Sequence, residues 1–198
     1  MINGPKIRGK IMNVLFIDAC VRKNSRTHRL AKEVLQQLNG QVTEINLAQE
    51  NIQPLSEQSL AKRAELLSQQ NYDHPIFRYA RQFAQADLIV VAAPFWDLSF
   101  PAMLKCFIEA ISIVGITFRY GKNGKIEGLC KADKLIYVTT AGGYIDEHNF
   151  GYGYIKALAT TLFGVKKTQF FKADGLDIIG ADEASIMQKA IAEVDVNL

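Results

Sequence analysis

Five short segments that read as strands, each followed by a stretch with helical spacing, narrow what this chain can fold into more than any other feature. Met12–Ile17 (MNVLFI), Asp87–Ala93 (DLIVVAA) and Leu135–Thr140 are runs with little alternation, as expected of strands buried on both faces. Gln41–Asn46 (QVTEIN) and Val165–Ala173 complete the set. Between them, Arg26–Leu38 carries Leu30, Val34, Leu35 and Leu38 on one helical face. Residues 57–69, Ile76–Gln85, Pro101–Ile113, Tyr154–Phe163 and Asp182–Val194 also read as helices. Pro101 sits in a first turn, where its missing N–H costs little. Strands alternating with helices require crossover connections, which produce a parallel sheet covered on both faces. The expectation is an α/β three-layer sandwich in one domain spanning 1–198, with five parallel strands in the order 2-1-3-4-5. Residues 1–10 are expected to form a flexible N-terminal extension. Residues 115–130, with Gly115, Gly121, Gly124 and Gly128, read as a long loop or a hairpin.

Composition removes several classes of function. The net charge is only +3, and Lys and Arg are scattered, so no nucleic-acid partner is indicated. No apolar stretch approaches the roughly 18 residues of a membrane span. Cys20, Cys106 and Cys130 are odd in number and far apart, which suits neither a disulfide framework nor zinc and fits the reducing cytoplasm. The three histidines lack ligand spacing, so no metal is expected. Lys6, Arg8 and Lys10 before the first apolar run faintly resemble a leader, but Asp18 interrupts the cleavage box, and a buried strand explains the run better.

Open parallel sheets bind ligands outside the C-terminal strand ends, at the switch in strand order. That directs attention to residues 18–27, 94–100 and 140–148. The first loop has neither GxxxxGK[ST] nor GxGxxG, which argues against a triphosphate or dinucleotide site. It does place Ser25, Arg26 and Thr27 at a helix start, where hydroxyls and free amides suit a phosphate monoester, or simply cap the helix. The second loop, Pro94-Phe95-Trp96-Asp97-Leu98, offers backbone groups to the edge of a planar ring and aromatic contact to its face, or plugs the sheet end. The third, Thr140-Ala141-Gly142-Gly143-Tyr144, has paired glycines that allow close backbone approach to a ligand, or a turn with positive φ.

The run Pro101-Ala-Met-Leu-Lys105, then Gly115-Ile-Thr-Phe-Arg-Tyr120 with Glu127-Gly128-Leu129, then Thr139-Thr-Ala-Gly-Gly143, resembles the FMN-dependent NADH-azoreductase and quinone-reductase family, a branch of the flavodoxin-like fold. The resemblance extends from about residue 12 to the C-terminus. It implies FMN held at the phosphate by Cys20, Ser25, Arg26 and Thr27. The ring would lie on Pro94, Phe95, Trp96, Asp97 and Leu98, with the glycine turn contributed by Thr140, Ala141, Gly142 and Gly143. It further implies a homodimer, with Phe118, Tyr120 and Tyr144 shaping a substrate pocket and with interface residues among Met103, Leu104, Phe107, Ile108 and Ile111, whose spacing alone does not separate interface from core. Cys20 stands where the family commonly has serine, Asp97 where asparagine is usual, and Ala141 where arginine is frequent.

The implied reaction is two-electron reduction of quinones, azo compounds or nitro aromatics, with NADH or NADPH as donor and hydride transfer at the flavin. Tyr144 and His148 are candidates for proton donation, with solvent as the alternative. The competing readings are an NADPH-dependent FMN, iron or chromate reductase, a flavodoxin-like electron carrier, and a domain that has lost its flavin. Strongly acidic docking faces are usual for a carrier, and +3 argues against that reading.

Overall fold

The computed structural model describes residues 11–196. The expectation for residues 1–10 therefore lies outside the described residues. A five-stranded sheet runs in the order β2-β1-β3-β6-β7, with every neighbouring pair parallel. Its strands are β1 (Met12–Asp18), β2 (Gly40–Asn46), β3 (Leu88–Ala92), β6 (Lys134–Thr140) and β7 (Lys167–Ala173). Helices α1 (Arg26–Gln36), α2 (Glu57–Ser68), α3 (Arg78–Gln85), α4 (Ala102–Ile111) and α5 (Phe150–Ala157) lie in the connections, and α6 (Glu183–Ala192) follows the last strand. The expected order 2-1-3-4-5 is the order found, once the short strands β4 (Phe118–Tyr120) and β5 (Ile126–Gly128) are set aside as a separate hairpin.

Alternation along each central strand divides the core in two. Leu15, Ile17, Ile89, Val91, Leu135 and Tyr137 face α3, α4 and α5, where they meet Phe83, Leu104, Phe107 and Ile155. Val14, Phe16, Leu88, Val90, Ile136 and Val138 face α1 and α6, where they meet Leu30, Val34 and Met187. Each buried side chain of this size contributes roughly 1.5–3 kcal/mol, so the central strands are fixed by both layers at once. Leu104, Phe107, Ile108 and Ile111, expected at an interface, form the sheet-facing stripe of α4 and belong to this core.

One element differs from the sequence expectation, and one open alternative is resolved. Helix α5 begins at Phe150 rather than Tyr154, because the Asn149 side chain accepts from the Tyr152 amide at 2.9 Å and caps the glycine-rich turn. Its far end widens into a π-helical turn, Leu158–Phe163, which closes at Gly164 with φ 79°. The 115–130 segment is a hairpin, and its motif residues build it. Thr117, fully buried, donates to the Ile111 carbonyl at 2.7 Å and accepts from the Ile113 amide at 3.1 Å, locking the hairpin to the end of α4. Arg119 pairs with Glu127 across the strands at 2.7 Å. Gly128 lies directly on the backbone of Phe163 and Gly164, so that any Cβ there would overlap main-chain atoms.

Candidate functional site

At the end of β1, the buried Asp18 carboxylate accepts from the Cys20 amide at 2.9 Å and pairs with His28 Nδ1 at 2.7 Å. This anchors both ends of the first loop. Ser25 caps α1, its hydroxyl accepting from the His28 amide at 3.2 Å. The amides of Arg26 and Thr27 fall in the first turn, where no helical carbonyl can reach them, and the helix dipole makes that end electropositive. The Thr27 hydroxyl meets that of Thr140 at 2.6 Å, a buried link between the first loop and the end of β6.

The second loop is drawn across the neighbouring strand end by the Phe95 amide, which donates to the Thr140 carbonyl at 3.0 Å. Trp96 and Ser99 then exchange two backbone hydrogen bonds, at 3.2 and 2.7 Å, around a two-residue turn. Both central residues are left-handed, Asp97 at φ 52° and Leu98 at φ 63°. Aspartate tolerates that conformation, but a leucine there is strained, and such strain tends to collect at binding loops. The turn carries Trp96 to the cleft and leaves the side chains of Asp97 and Leu98 exposed on its far side.

The third loop is joined by a fourth, which follows β7. The Gly175 amide donates to the Gly143 carbonyl (2.9 Å), that of Leu176 to Ala141 (3.2 Å) and that of Asp177 to Gly142 (2.9 Å). This ladder sets the Asp177 carboxylate against the Arg26 guanidinium in a bidentate pair, at 2.7 and 3.1 Å. Glu183 adds a contact to Arg26 at 3.3 Å. The Arg26 hydrogen bond holds the Asp177 carboxyl below the usual carboxylate range. Neither Gly142 nor Gly143 has positive φ. Gly142 is needed for space, since a Cβ there would overlap the Asp177 carboxylate.

These loops enclose a cleft of about 270 Å³, at the lower edge of the ~300–1,000 Å³ usual for small-molecule sites. Of the residues singled out in the sequence, Ser25, Arg26, Thr27, Pro94, Phe95, Trp96, Thr140 and Gly142 line it. Cys20 does not. Its thiol is buried beneath the loop, 3.9 Å from the Ala92 carbonyl, with its pKa pushed well up by burial and then by Asp18. Ala141 is buried behind the cleft, and Gly143 lies beyond it. Tyr144 is exposed, with room left for its ring by Gly175. His148 is exposed beside Asp146 and Phe150. Phe118 is buried in the hairpin and Tyr120 is exposed on it. Asn24 and Asp177 line the cleft without having been singled out. Asp177 follows the last strand, away from the switch point; the glycines at 175 and 180, both with positive φ, were its available signal.

A second, more apolar cavity of about 530 Å³ adjoins the same connection, lined by Ser99, Phe100, Lys105, Phe150 and Tyr154 among others. Phe150 is largely exposed at its rim, as is Leu98 on the neighbouring turn.

Residues 12–198 match the protein family described as flavodoxin-like fold. The chain is 34% identical over 194 residues to a protein of Coprothermobacter proteolyticus named FMN-dependent NADH:quinone oxidoreductase, covering 92% of this chain and 96% of that one. Among solved structures, an azoreductase from Bacillus anthracis strain Sterne superposes with a TM-score of 0.80 at 21% identity, covering 92% of this chain and 96% of that one. An FMN-dependent NADH-azoreductase from Bacillus anthracis in complex with FMN superposes with a TM-score of 0.78 at 21% identity, covering 92% and 95%.

Proposed function

The chain belongs to the flavodoxin-like fold family along residues 12–198, and from that premise we propose that it is an FMN-dependent NADH:quinone oxidoreductase that also reduces azo compounds. The observation that carries this reading is one cleft with an unpaired helix N-terminus at Ser25–Thr27 on one side and the Trp96 turn on the other. An FMN molecule needs both an anion seat and an aromatic support, and these residues fit it.

The amides of Arg26 and Thr27 and the hydroxyl of Ser25 would hold the phosphate, with Arg22 adding positive charge to the lining. Pro94, Phe95 and Trp96 would position the ring, and the Gly142 backbone would approach its edge. When bound, FMN supplies the hydride acceptor and donor for transfer from NADH to a quinone or azo compound. The protein's part is orientation and exclusion of water. Preformed backbone dipoles of the third loop, fixed by the ladder to the fourth, would stabilise negative charge on the bound flavin without reorganising. Tyr144 and His148 lie outside the cleft lining, which supports solvent as the proton source for the acceptor.

The active assembly is a homodimer in this reading. The 530 Å³ apolar cavity beside the Trp96 turn, with Leu98 and Phe150 exposed around it, is the face offered to a second copy. That copy would bring its own hairpin, with the exposed Tyr120, to the acceptor side of the flavin, while Phe118 stays buried within the hairpin. Three free cysteines among the described residues favour a cytoplasmic setting. No described helix is long and apolar enough to cross a membrane.

The test is an FMN titration followed by anaerobic addition of NADH. Saturable flavin binding, bleaching by NADH and reoxidation by benzoquinone are expected. Failure to bind FMN, or bound FMN that NADH does not bleach, overturns the reading.

A further inference from the structure

The N-terminal end of α1 offers an incoming anion two separate seats. One is the set of first-turn amides. The other is the guanidinium of Arg26, on the first residue of the helix, where a cation opposes the dipole. The second seat is already taken. Asp177 engages Arg26 through both carboxylate oxygens, at 2.7 and 3.1 Å, and Glu183 engages the same guanidinium at 3.3 Å. Two carboxylates on one guanidinium leave that edge with no positive charge to spare. An exposed ion pair alone is a weak constraint, but this one is aimed. The Asp177 amide is fixed to the Gly142 carbonyl at 2.9 Å, between Gly175 and Gly180, both with positive φ. Residue 142 has no Cβ to displace the carboxylate.

We propose that Asp177 is a specificity-determining residue: by occupying Arg26 and placing its own negative charge on the cleft wall, it restricts the site to a flavin bearing one phosphate group and discriminates against a flavin dinucleotide bearing two. This inference rests on the flavin reading above. A phosphate monoester is satisfied by the first-turn amides. A second phosphate finds the Arg26 guanidinium already engaged and faces the Asp177 carboxylate, with Arg22 as the remaining cation of the lining; that carboxylate is a repulsive contact of the kind that makes a site selective.

The test uses three flavins that carry no, one or two phosphate groups: riboflavin, FMN and FAD. Each is titrated against the wild-type protein, Asp177→Asn and, as a control outside the cleft lining, Glu183→Gln. Asp177→Asn keeps the shape but removes one of the two carboxylates on the guanidinium and the negative charge on the cleft wall, leaving Glu183 in place. Its affinity gain is expected to rise with phosphate count: under about twofold for riboflavin, a few-fold for FMN and roughly tenfold for FAD. Glu183→Gln is expected to change the FAD-to-FMN ratio by less than about threefold. Thermal unfolding of each variant without flavin establishes that it is folded, and Asp177→Ala serves if the asparagine variant is not. An equal change for all three flavins, or an unchanged ratio of FAD to FMN affinity, overturns the inference while leaving the flavin reading intact. A selective loss of FMN and FAD would also overturn it, making Asp177 the residue that presents Arg26 to the phosphate. Wild-type protein that binds none of the three flavins overturns the flavin reading itself.

Discussion

Leu98 at φ 63° is the residue under most evident backbone strain, since its β-carbon crowds the backbone in a conformation that glycine adopts freely. Its side chain is half exposed, so little packing is lost on removal. Leu98→Gly is expected to raise stability by about 1 kcal/mol in urea unfolding, the left-handed strain relieved less the added chain entropy. Asp177 invites a pH test. Its carboxyl is held below the ordinary value by Arg26, so the pair is fully formed above the unfolded pKa of about 3.9 and is lost only as pH falls through the lower, folded value. An NMR titration of the Asp177 carboxyl carbon should therefore place its midpoint below that of an ordinary aspartate. Residue-level legibility was uneven for a physical reason. Ser25, Thr27, Trp96 and Gly142 belong to types whose local chemistry marks loops and caps, and they line the cleft. Cys20 is adjacent in sequence but is turned inward by the Asp18 hydrogen bond to its own amide, a contact that no spacing rule reveals.

The hairpin of β4 and β5 shows what a sequence motif can encode besides chemistry. Its threonine fastens it to the end of α4, its arginine and glutamate pair across its two strands, and its second glycine seats it on the π turn. Gly128→Ala would set a methyl group against main-chain atoms of Phe163 and Gly164, which cannot swing aside as a side chain can. The expected cost is about 3 kcal/mol, read as a lowered midpoint in denaturant unfolding and as faster proteolysis at the hairpin. The periodicity of α1 and the unbroken apolar character of β3 made those elements readable, because burial repeats at a fixed interval. The start of α5 was hidden by Gly151 and Gly153, whose low helix propensity outweighs the cap in any local reading. Gly151 fits there because a Cβ would crowd the Tyr137 hydroxyl at 3.1 Å and the Ser99 carbonyl at 3.2 Å. The fourth loop was hidden because its role depends on a ladder to residues 141–143, a long-range fact of the fold.

For the molecule as a whole, the apolar cavity next to the Trp96 turn makes self-association the expected state. Sedimentation should return twice the chain mass of 22.1 kDa. Phe150→Asp, which places a charge at the rim of that cavity, should yield a monomer that retains FMN but loses most quinone turnover. A monomer of full activity would separate the acceptor site from the second copy. The cleft also has a consequence for biosynthesis. Its walls are drawn from four strand ends, and the tie between Arg26 and Asp177 spans 151 positions of the chain. A ribosome adds about 5–20 residues per second and releases the N-terminal elements first, so the Ser25–Thr27 turn emerges well before the carboxylate that completes its wall. Selection of the cofactor must therefore wait until synthesis is nearly finished, and a nascent chain halted before β7 would have strands and helices but no means of choosing its flavin.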